Sequence, residues 1–558
     1  MSKSKSRGFI RRLVGIIPVS LFIVILAVSS LWFENPPKGK GTDTAENGFS
    51  ADRAFVYLTH IAKEPHTPFL PEHEMVRTYI VDQFSKLGLD VMVESYPTKI
   101  INRGNGNGNE DVTLYNIIAT LKGSLKGQAL MMSAHYDSVP SGPGANDDGV
   151  AVAALLETAR ALKAQGKPLH DILFVITDGE EEGLLGAETF WKASRFKDRV
   201  GMVANFEAKG ASGPSLMFQT SDANSKLIHE FASIAPAPVS NSFLADLYRT
   251  MPNDTDLTVS LREGIPGLNF AYVASWEKYH TTDDSIENVS KATLQHHGEN
   301  ALAIASHFGA MDLSQLKSAE DAEYFNLYGK ILYYPQSVNL PLAIVLTAAL
   351  LVLFWLFAKK QSLRLGKIAT GVVFVVIGVL LSALVSFGFY ELLNKIDTGI
   401  HIQVYNFSFL AITLLIHILL SLYLRRSRNE LEMIISAMFM FLILVWIVTF
   451  LIPGAGYMFS LPLLVHCIVL AFLQGSKDPS AALKRSWMIM ILAVLPVLLF
   501  ASLFHLFFTS MQPVENVVCA VFLSLNLFMI YPFTRNIADL FSGKKAIKDT
   551  SAGTGIQG

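Results

Sequence analysis

ALMMSAHYDS at residues 129–138 and ILFVITDGEEEG at 172–183 are apolar runs that each end in side chains able to hold a metal. Short apolar runs bounded by turn residues read as buried strands. A third run, MVANFEAKG (202–210), delivers Glu207, and KYHTTDD (278–284) delivers His280. After the first run, PGANDDGV (143–150) presents Asp147 and Asp148 and opens a helix. Working outward, strand patterns fall at 91–96, 114–121, 129–134, 172–177, 202–206, 215–219 and 267–273. Helical spacing falls at 51–63, 72–87, 149–165, 183–195, 222–235 and 291–308. This alternation predicts an α/β fold with a mixed, mostly parallel sheet flanked by helices. The Gly/Asn-rich stretch 102–110 reads as a flexible turn.

Open α/β sheets bind ligands beyond the carboxyl ends of their strands. His135, Asp137, Asp147, Asp148, Glu180, Glu181, Glu182, Glu207 and His280 are therefore expected in one crevice. Imidazoles and carboxylates without sulfur suit Zn²⁺, or Co²⁺ or Mn²⁺. One zinc takes about three protein ligands and a water. Five ligand-type residues instead suit two ions that share a carboxylate. Neighbours on a loop point different ways, so one of Glu180 and Glu181 can ligate while the other serves as a general base. Asp256 is a candidate for shaping the pocket, and Tyr248, Arg249 and Trp276 for lining it. His296 and His297 sit on a predicted helix as surface or core residues, and Asn253 and Asn288 head glycosylation sequons.

The 558-residue chain is 51% hydrophobic and only 16% charged, with a mean hydropathy of +0.37, which excludes a disordered or wholly soluble chain. The overall charge of −2 hides a split. Residues 34–334 carry 25 Lys and Arg against 39 Asp and Glu, a net −14, and the remainder is +12. An acidic domain of this kind is no nucleic-acid partner, because phosphate contacts need clustered cations. Cys467 and Cys519 both lie in apolar runs, so the acidic domain has neither a disulfide nor a thiolate metal site.

Residues 13–33 form an uncharged apolar run long enough to span a bilayer, and further runs cover 338–358, 368–390, 405–424, 432–452, 458–473, 487–508 and 516–533. The reading is a cytoplasmic N-terminus (1–12), an uncleaved anchor (13–33), a linker (34–50), an exported domain (51–312) and a connector (313–337). A membrane domain of about seven helices (338–533) and a cytoplasmic tail (534–558) follow. Cations cluster in alternate loops, at Lys359–Lys367, Arg425–Arg428 and Lys477–Arg485, and in both terminal segments, whereas the opposite short loops hold only Lys395. The positive-inside rule then places both termini in the cytoplasm and the acidic domain outside it. His417, His466, His505 and Asn526 within the spans are expected to make interhelical hydrogen bonds.

AHYDS, PGANDDG, GEEEGLLGAE, NFEAKG and YHTTDD together resemble the M28 family of zinc metallopeptidases, over about residues 51–310. With the C-terminal spans, NDTD (253–256) and GIPGLNFAY (264–272), the pattern is similar to the endoplasmic-reticulum and vacuolar membrane branch and its bacterial relatives. The resemblance implies two zinc ions per chain. His135 and Glu207 would hold one, Glu181 and His280 the other, and Asp147 would bridge them. Glu180 would be the general base, acting on a hydroxide shared by the ions, and Asp137 would fix the His135 tautomer. The family usually has Asp where Glu207 stands. The resemblance also implies a strained peptide after Asp147. The expected activity is aminopeptidase cleavage of peptides with a free N-terminus, on a bilayer-anchored enzyme whose catalytic domain is extracytoplasmic. A bacterial cell membrane is favoured, or the endoplasmic reticulum or vacuole in a eukaryote. A single-zinc glutaminyl cyclase-like enzyme and a non-catalytic receptor-like member of the scaffold are the alternatives.

Overall fold

The computed structural model describes residues 3–68, 70–101, 109–361, 363–396 and 399–541. Of the turn expected at 102–110, residues 102–108 lie outside the described residues, as do the tail cations Lys544, Lys545 and Lys548, whereas Asn109 and Glu110 are strand, paired with Ile101 and Ile100. The chain forms two compact units: Trp32–Asn339 with Phe450–Gly456, and Met1–Leu31 with Leu340–Thr449 and Tyr457–Gly558.

The first unit is α/β. Helix α1 (Lys3–Trp32) precedes it, and its elements begin with α2 (Ala51–Ile61), α3 (Pro71–Lys86), β1 (Asp90–Ile101), β2 (Asn109–Leu121), β3 (Ala129–His135), α4 (Ala151–Gln165), β4 (Ile172–Thr177) and α5 (Leu185–Ala193). They continue with β5 (Val200–Ala208), β6 (Leu216–Thr220), α6 (Ser225–Ile234), β7 (Val239–Ser240), α7 (Ser242–Tyr248), α8 (Asp256–Arg262), β8 (Gly267–Tyr272) and α9 (Lys291–Phe308). One sheet runs in the order β1-β2-β4-β3-β5-β8-β6-β7. Its centre, β4-β3-β5-β8, is parallel, and antiparallel pairs join β1 to β2, β2 to β4 and β6 to β8.

The strands form because their residues serve two cores alternately. Ile172, Phe174 and Ile176 of β4 enter the core under α3, α4 and α9 with Phe84, Leu155 and Ile304. Leu173 and Val175 enter the opposite core with Phe190, Trp191 and Leu257 of α5 and α8. This period of two is the strand signature, and burial on both faces is why these strands read as continuous apolar runs. β3 is central, with β4 on one side and β5 on the other, so the chain leaves its end in both directions. Such a switch point opens a crevice at the strands' carboxyl ends.

Residues 34–50, expected as a linker, have no helix or strand, yet Phe49 is buried and Arg53 and Arg160 donate to the carbonyls of Thr42, Thr44, Glu46 and Gly48. Residues 313–337, expected as a connector, carry an antiparallel hairpin of β9 (Ala322–Leu327) and β10 (Lys330–Pro335).

In the second unit, α1, α10 (Asn339–Gln361), α11 (Leu365–Ile396), α12 (Ile402–Leu424), α13 (Glu430–Leu451), α14 (Gly456–Leu473) and α16 (Ser486–Ser510) are long and apolar enough to cross a membrane; α15 (Pro479–Leu483) is short. The run at 516–533 is not one straight helix as its hydropathy suggests. It breaks at Ile530 into α17 (Val517–Met529) and α18 (Tyr531–Phe541), bent by 85°. Among the described residues the candidate spans therefore number seven, or eight if the bent pair is one span. His417 Nε2 meets Ser524 Oγ at 2.8 Å and His466 Nε2 meets the Met529 carbonyl at 3.1 Å, both between helices. Asn526 instead donates to Phe522 of its own helix. Both cysteines are free and buried.

Candidate metal centre

Every strand around the switch point contributes to one cluster. His135 closes β3, Glu180 and Glu181 follow β4, and Glu207 lies near the end of β5. His280 follows β8, and Asp147 stands on the turn between β3 and α4. Ligand atoms of His135, Asp147 and Glu207 all lie within 4.8 Å of one another, and so do those of Asp147, Glu181 and His280. Asp147 belongs to both triads. Its Oδ1 is 3.2 Å from His135 Nε2 and its Oδ2 is 3.1 Å from His280 Nε2. Glu207 Oε2 is 3.6 Å from His135 Nε2, and Glu181 Oε1 is 3.0 Å from His280 Nε2.

The surroundings aim these groups. His135 Nδ1 lies 3.0 Å from the Asp137 carbonyl, to which it can only donate, and this leaves the Nε2 lone pair facing Asp147 and Glu207. The Asp137 carboxylate is 3.5 Å from the same Nδ1. Its shorter contacts are elsewhere: Oδ1 accepts the Glu180 N–H and Oδ2 the Glu181 N–H, each at 3.1 Å. Asp137 therefore grips the loop that carries both glutamates, which a role confined to the His135 tautomer does not include. Glu207 accepts from Asn205 Nδ2 at 2.9 Å. His280 has φ +59, in the left-handed region, and stacks on Tyr279 with ring centroids 3.7 Å apart. The Asp147–Asp148 peptide is cis.

Sequence reasoning missed the residue that holds the Asp147 turn. Asp284 is buried, and its Oδ1 accepts from the N–H (2.7 Å) and Nδ2 (2.8 Å) of Asn146 while its Oδ2 accepts from the Asp147 N–H at 3.2 Å. Its signal was the last residue of TTDD, which alone reads as a turn. Asp178 was also missed. It accepts from the Tyr115 N–H (2.7 Å) and the Tyr136 hydroxyl (3.1 Å), and meets His73 Nε2 at 2.8 Å. It thereby anchors the start of the Glu180 loop.

Charge density is the dominant electrostatic fact. Burial, reinforced by neighbouring carboxylates, pushes Glu207 up to about 8 and Glu181 up to about 7, and lifts Glu180 well above its usual range. Burial also opposes the charge of Asp147, but hydrogen bonds from His135 and His280 outweigh it and hold Asp147 below the ordinary carboxylate range. Burial would lower His280, yet contacts with Asp147 and Glu181 carry it to about 10.

The remaining candidates separate. Asp256 is buried and raised by burial to about 6; its Oδ2 bonds the Thr177 hydroxyl, and its Oδ1 has no hydrogen-bond partner among the described residues. Tyr248 is raised by burial and by the charges of Glu207, Asp254 and Glu180, and its ring packs edge-on to Phe218 of β6. Arg249 is engaged with Asp222 (2.9 Å) and Asp246 (3.3 Å), and Trp276 stands in the turn before His280. His296 and His297 are core: His296 accepts the Ser215 N–H at 3.1 Å and donates to the Ala237 carbonyl at 2.9 Å, and burial lowers it to about 4.

Residues 116–305 match the family model described as Peptidase family M28. This domain belongs to peptidase family M28. The chain is 28% identical over 400 residues to "Putative endoplasmic reticulum metallopeptidase 1" of Schizosaccharomyces pombe, covering 66% of this chain and 47% of that protein. It is 30% identical over 325 residues to "Vacuolar membrane protease" of Candida albicans, covering 56% and 37%. It is 27% identical over 312 residues to "Endoplasmic reticulum metallopeptidase 1" of Homo sapiens, covering 52% and 34%. The match spans less than half the length of these relatives. The chain thus joins an M28-family domain to multiple candidate membrane spans.

Proposed function

We propose that the M28 domain is a two-zinc aminopeptidase acting outside the cytoplasm, with both chain termini on the cytoplasmic side. The observation that carries this reading is the division of Asp147, one carboxylate oxygen to each of two ligand triads. The donor set fits two divalent cations. It has two imidazoles and three carboxylates without sulfur, and protons crowd onto those groups where no cation balances them. His135 and Glu207 would hold one ion, Glu181 and His280 the other, with Asp147 between them.

When bound, the ion pair would lower the pKa of a water and polarise the scissile carbonyl. Glu180 then takes the water's proton and passes it to the leaving amine. Burial raises its affinity for a proton, which favours the transfer from the water. Asp137 keeps Glu180 and Glu181 in fixed relation through their backbone N–H groups, so base and ligand move as one. The acidic cluster favours a protonated substrate N-terminus over a blocked one.

The test is a metal-quantified assay of the full chain on paired peptides, N-terminally free and blocked. Two zinc ions per chain with cleavage of the free peptides alone supports the reading. Equal cleavage of blocked peptides refutes the aminopeptidase assignment. One zinc with ammonia release from N-terminal Gln would instead mark a cyclase.

A further inference from the structure

The first unit includes a segment remote in sequence, Phe450–Gly456. Its turn, Pro453–Ala455, packs on α7 through the backbone of one residue, Gly454. The Gly454 carbonyl accepts from Ser242 Oγ at 2.8 Å, and the Gly454 N–H donates to Asp246 Oδ2 at 2.8 Å. Ser242 and Asp246 are four residues apart and share one helix face. Ser242 Oγ also accepts the Tyr324 N–H of β9 at 3.2 Å, and Asn339 Nδ2 donates to the Pro453 carbonyl at 3.3 Å. The approach leaves no room for a side chain: a Cβ on Gly454 would lie 2.5 Å from the Ser242 carbonyl oxygen and 2.8 Å from Asp246 Oδ2.

The clamped helix matters because of what it carries. α7 has seven residues. Isolated helices shorter than about 12 residues are marginal in water, so tertiary partners must set its position. Its last residue, Tyr248, sets its ring edge-on to Phe218 of β6 at 4.7 Å, and β6 joins the site through the sheet: Leu216 pairs with Ala271 of β8, which pairs with Glu207 of β5.

We infer that the 453–455 turn is a positioning element of the peptidase site, which clamps Ser242 and Asp246 and so fixes Tyr248 against β6, two strands across from Glu207. This rests on the peptidase reading above. It also means that a fragment ending near residue 339 lacks the turn that holds α7.

The test uses the full chain in detergent, comparing wild type with Ser242→Ala and Asp246→Ala, which release the clamp, and Gly454→Val, which wedges it. Three quantities are read: zinc per chain, amide exchange over 242–248, and kcat and KM on free-N-terminus peptides that differ in the first side chain. The expected result is unchanged zinc, exchange over 242–248 faster by about tenfold, and a shift of about fivefold or more in KM or in first-residue preference. Exchange and preference within twofold of wild type in both α7 variants overturn the inference; these two carry the test if Gly454→Val does not fold. Should the wild type cleave no peptide, the peptidase reading fails, but exchange still decides the clamp: acceleration supports it and its absence refutes it.

Discussion

Asp284→Asn is the sharpest probe of how the centre is built, because Asp284 touches no substrate and is no ligand in the proposed site. Its carboxylate accepts the Asn146 and Asp147 backbone N–H groups and the Asn146 side chain. An amide in its place keeps the volume but turns one oxygen into a donor. If Oδ1 stays toward Asn146, an N–H group faces the Asp147 N–H, and one buried hydrogen bond becomes a donor–donor contact. Losing a hydrogen bond to a charged group costs about 1.5–3 kcal/mol. Replacing an outer-shell partner of a metal ligand typically costs about 10–100-fold in affinity or activity, or about 1.4–2.7 kcal/mol. The two routes agree. Because Asp147 serves both triads, the loss should fall on both ions together. The assay is zinc occupancy at graded free zinc, with peptide cleavage followed in parallel. The expected outcome is an occupancy midpoint raised by about 10–100-fold and a matching loss of rate at limiting zinc. A variant that keeps wild-type occupancy and rate would falsify the claim that Asp284 sets the Asp147 turn.

Further outcomes follow from the same geometry. Glu180→Gln should bind zinc as wild type does yet lose about 10²–10⁴ in kcat, read by steady-state kinetics beside metal analysis; full activity would move the base elsewhere. Zinc binding near pH 7 should release protons, since Glu207 at about 8, Glu181 at about 7 and His280 at about 10 hold them in the metal-free cluster and ligation requires them off. Affinity should then rise with pH up to about 10, and calorimetric enthalpies that do not vary with the buffer's ionisation enthalpy would contradict this. Gly298→Ala should lower the melting temperature, because its Cβ would meet the Phe49 ring at 1.9–2.3 Å and overpacking costs about 1–3 kcal/mol or more; an unchanged melting curve would show that Phe49 moves aside freely.

What the sequence disclosed, and what it hid, follows from the range of each signal. The clustered residues were legible because His135, Glu180, Glu181 and Glu207 stand at or just past the ends of apolar runs, and a strand's end is a local property that topology then gathers at the switch point. Asp284 was hidden because its partners, Asn146 and Asp147, are more than a hundred residues away, while its neighbours alone read as a turn. Asp137 was legible as a neighbour of His135, but its grip on the Glu180 and Glu181 backbone depends on the β3–β4 register, which pairs His135 with Thr177. The break at Ile530 was hidden because hydropathy runs unchanged through it. The Pro453–Ala455 turn shows the limit most clearly. In sequence it separates two apolar helices and reads as a tight hairpin. In the fold its backbone is spent on Ser242 and Asp246, more than two hundred residues earlier, and only a glycine at 454 permits that approach. A Pro-Gly-Ala-Gly turn has many local reasons to exist, so this one could be recognised only when its partner helix was in view.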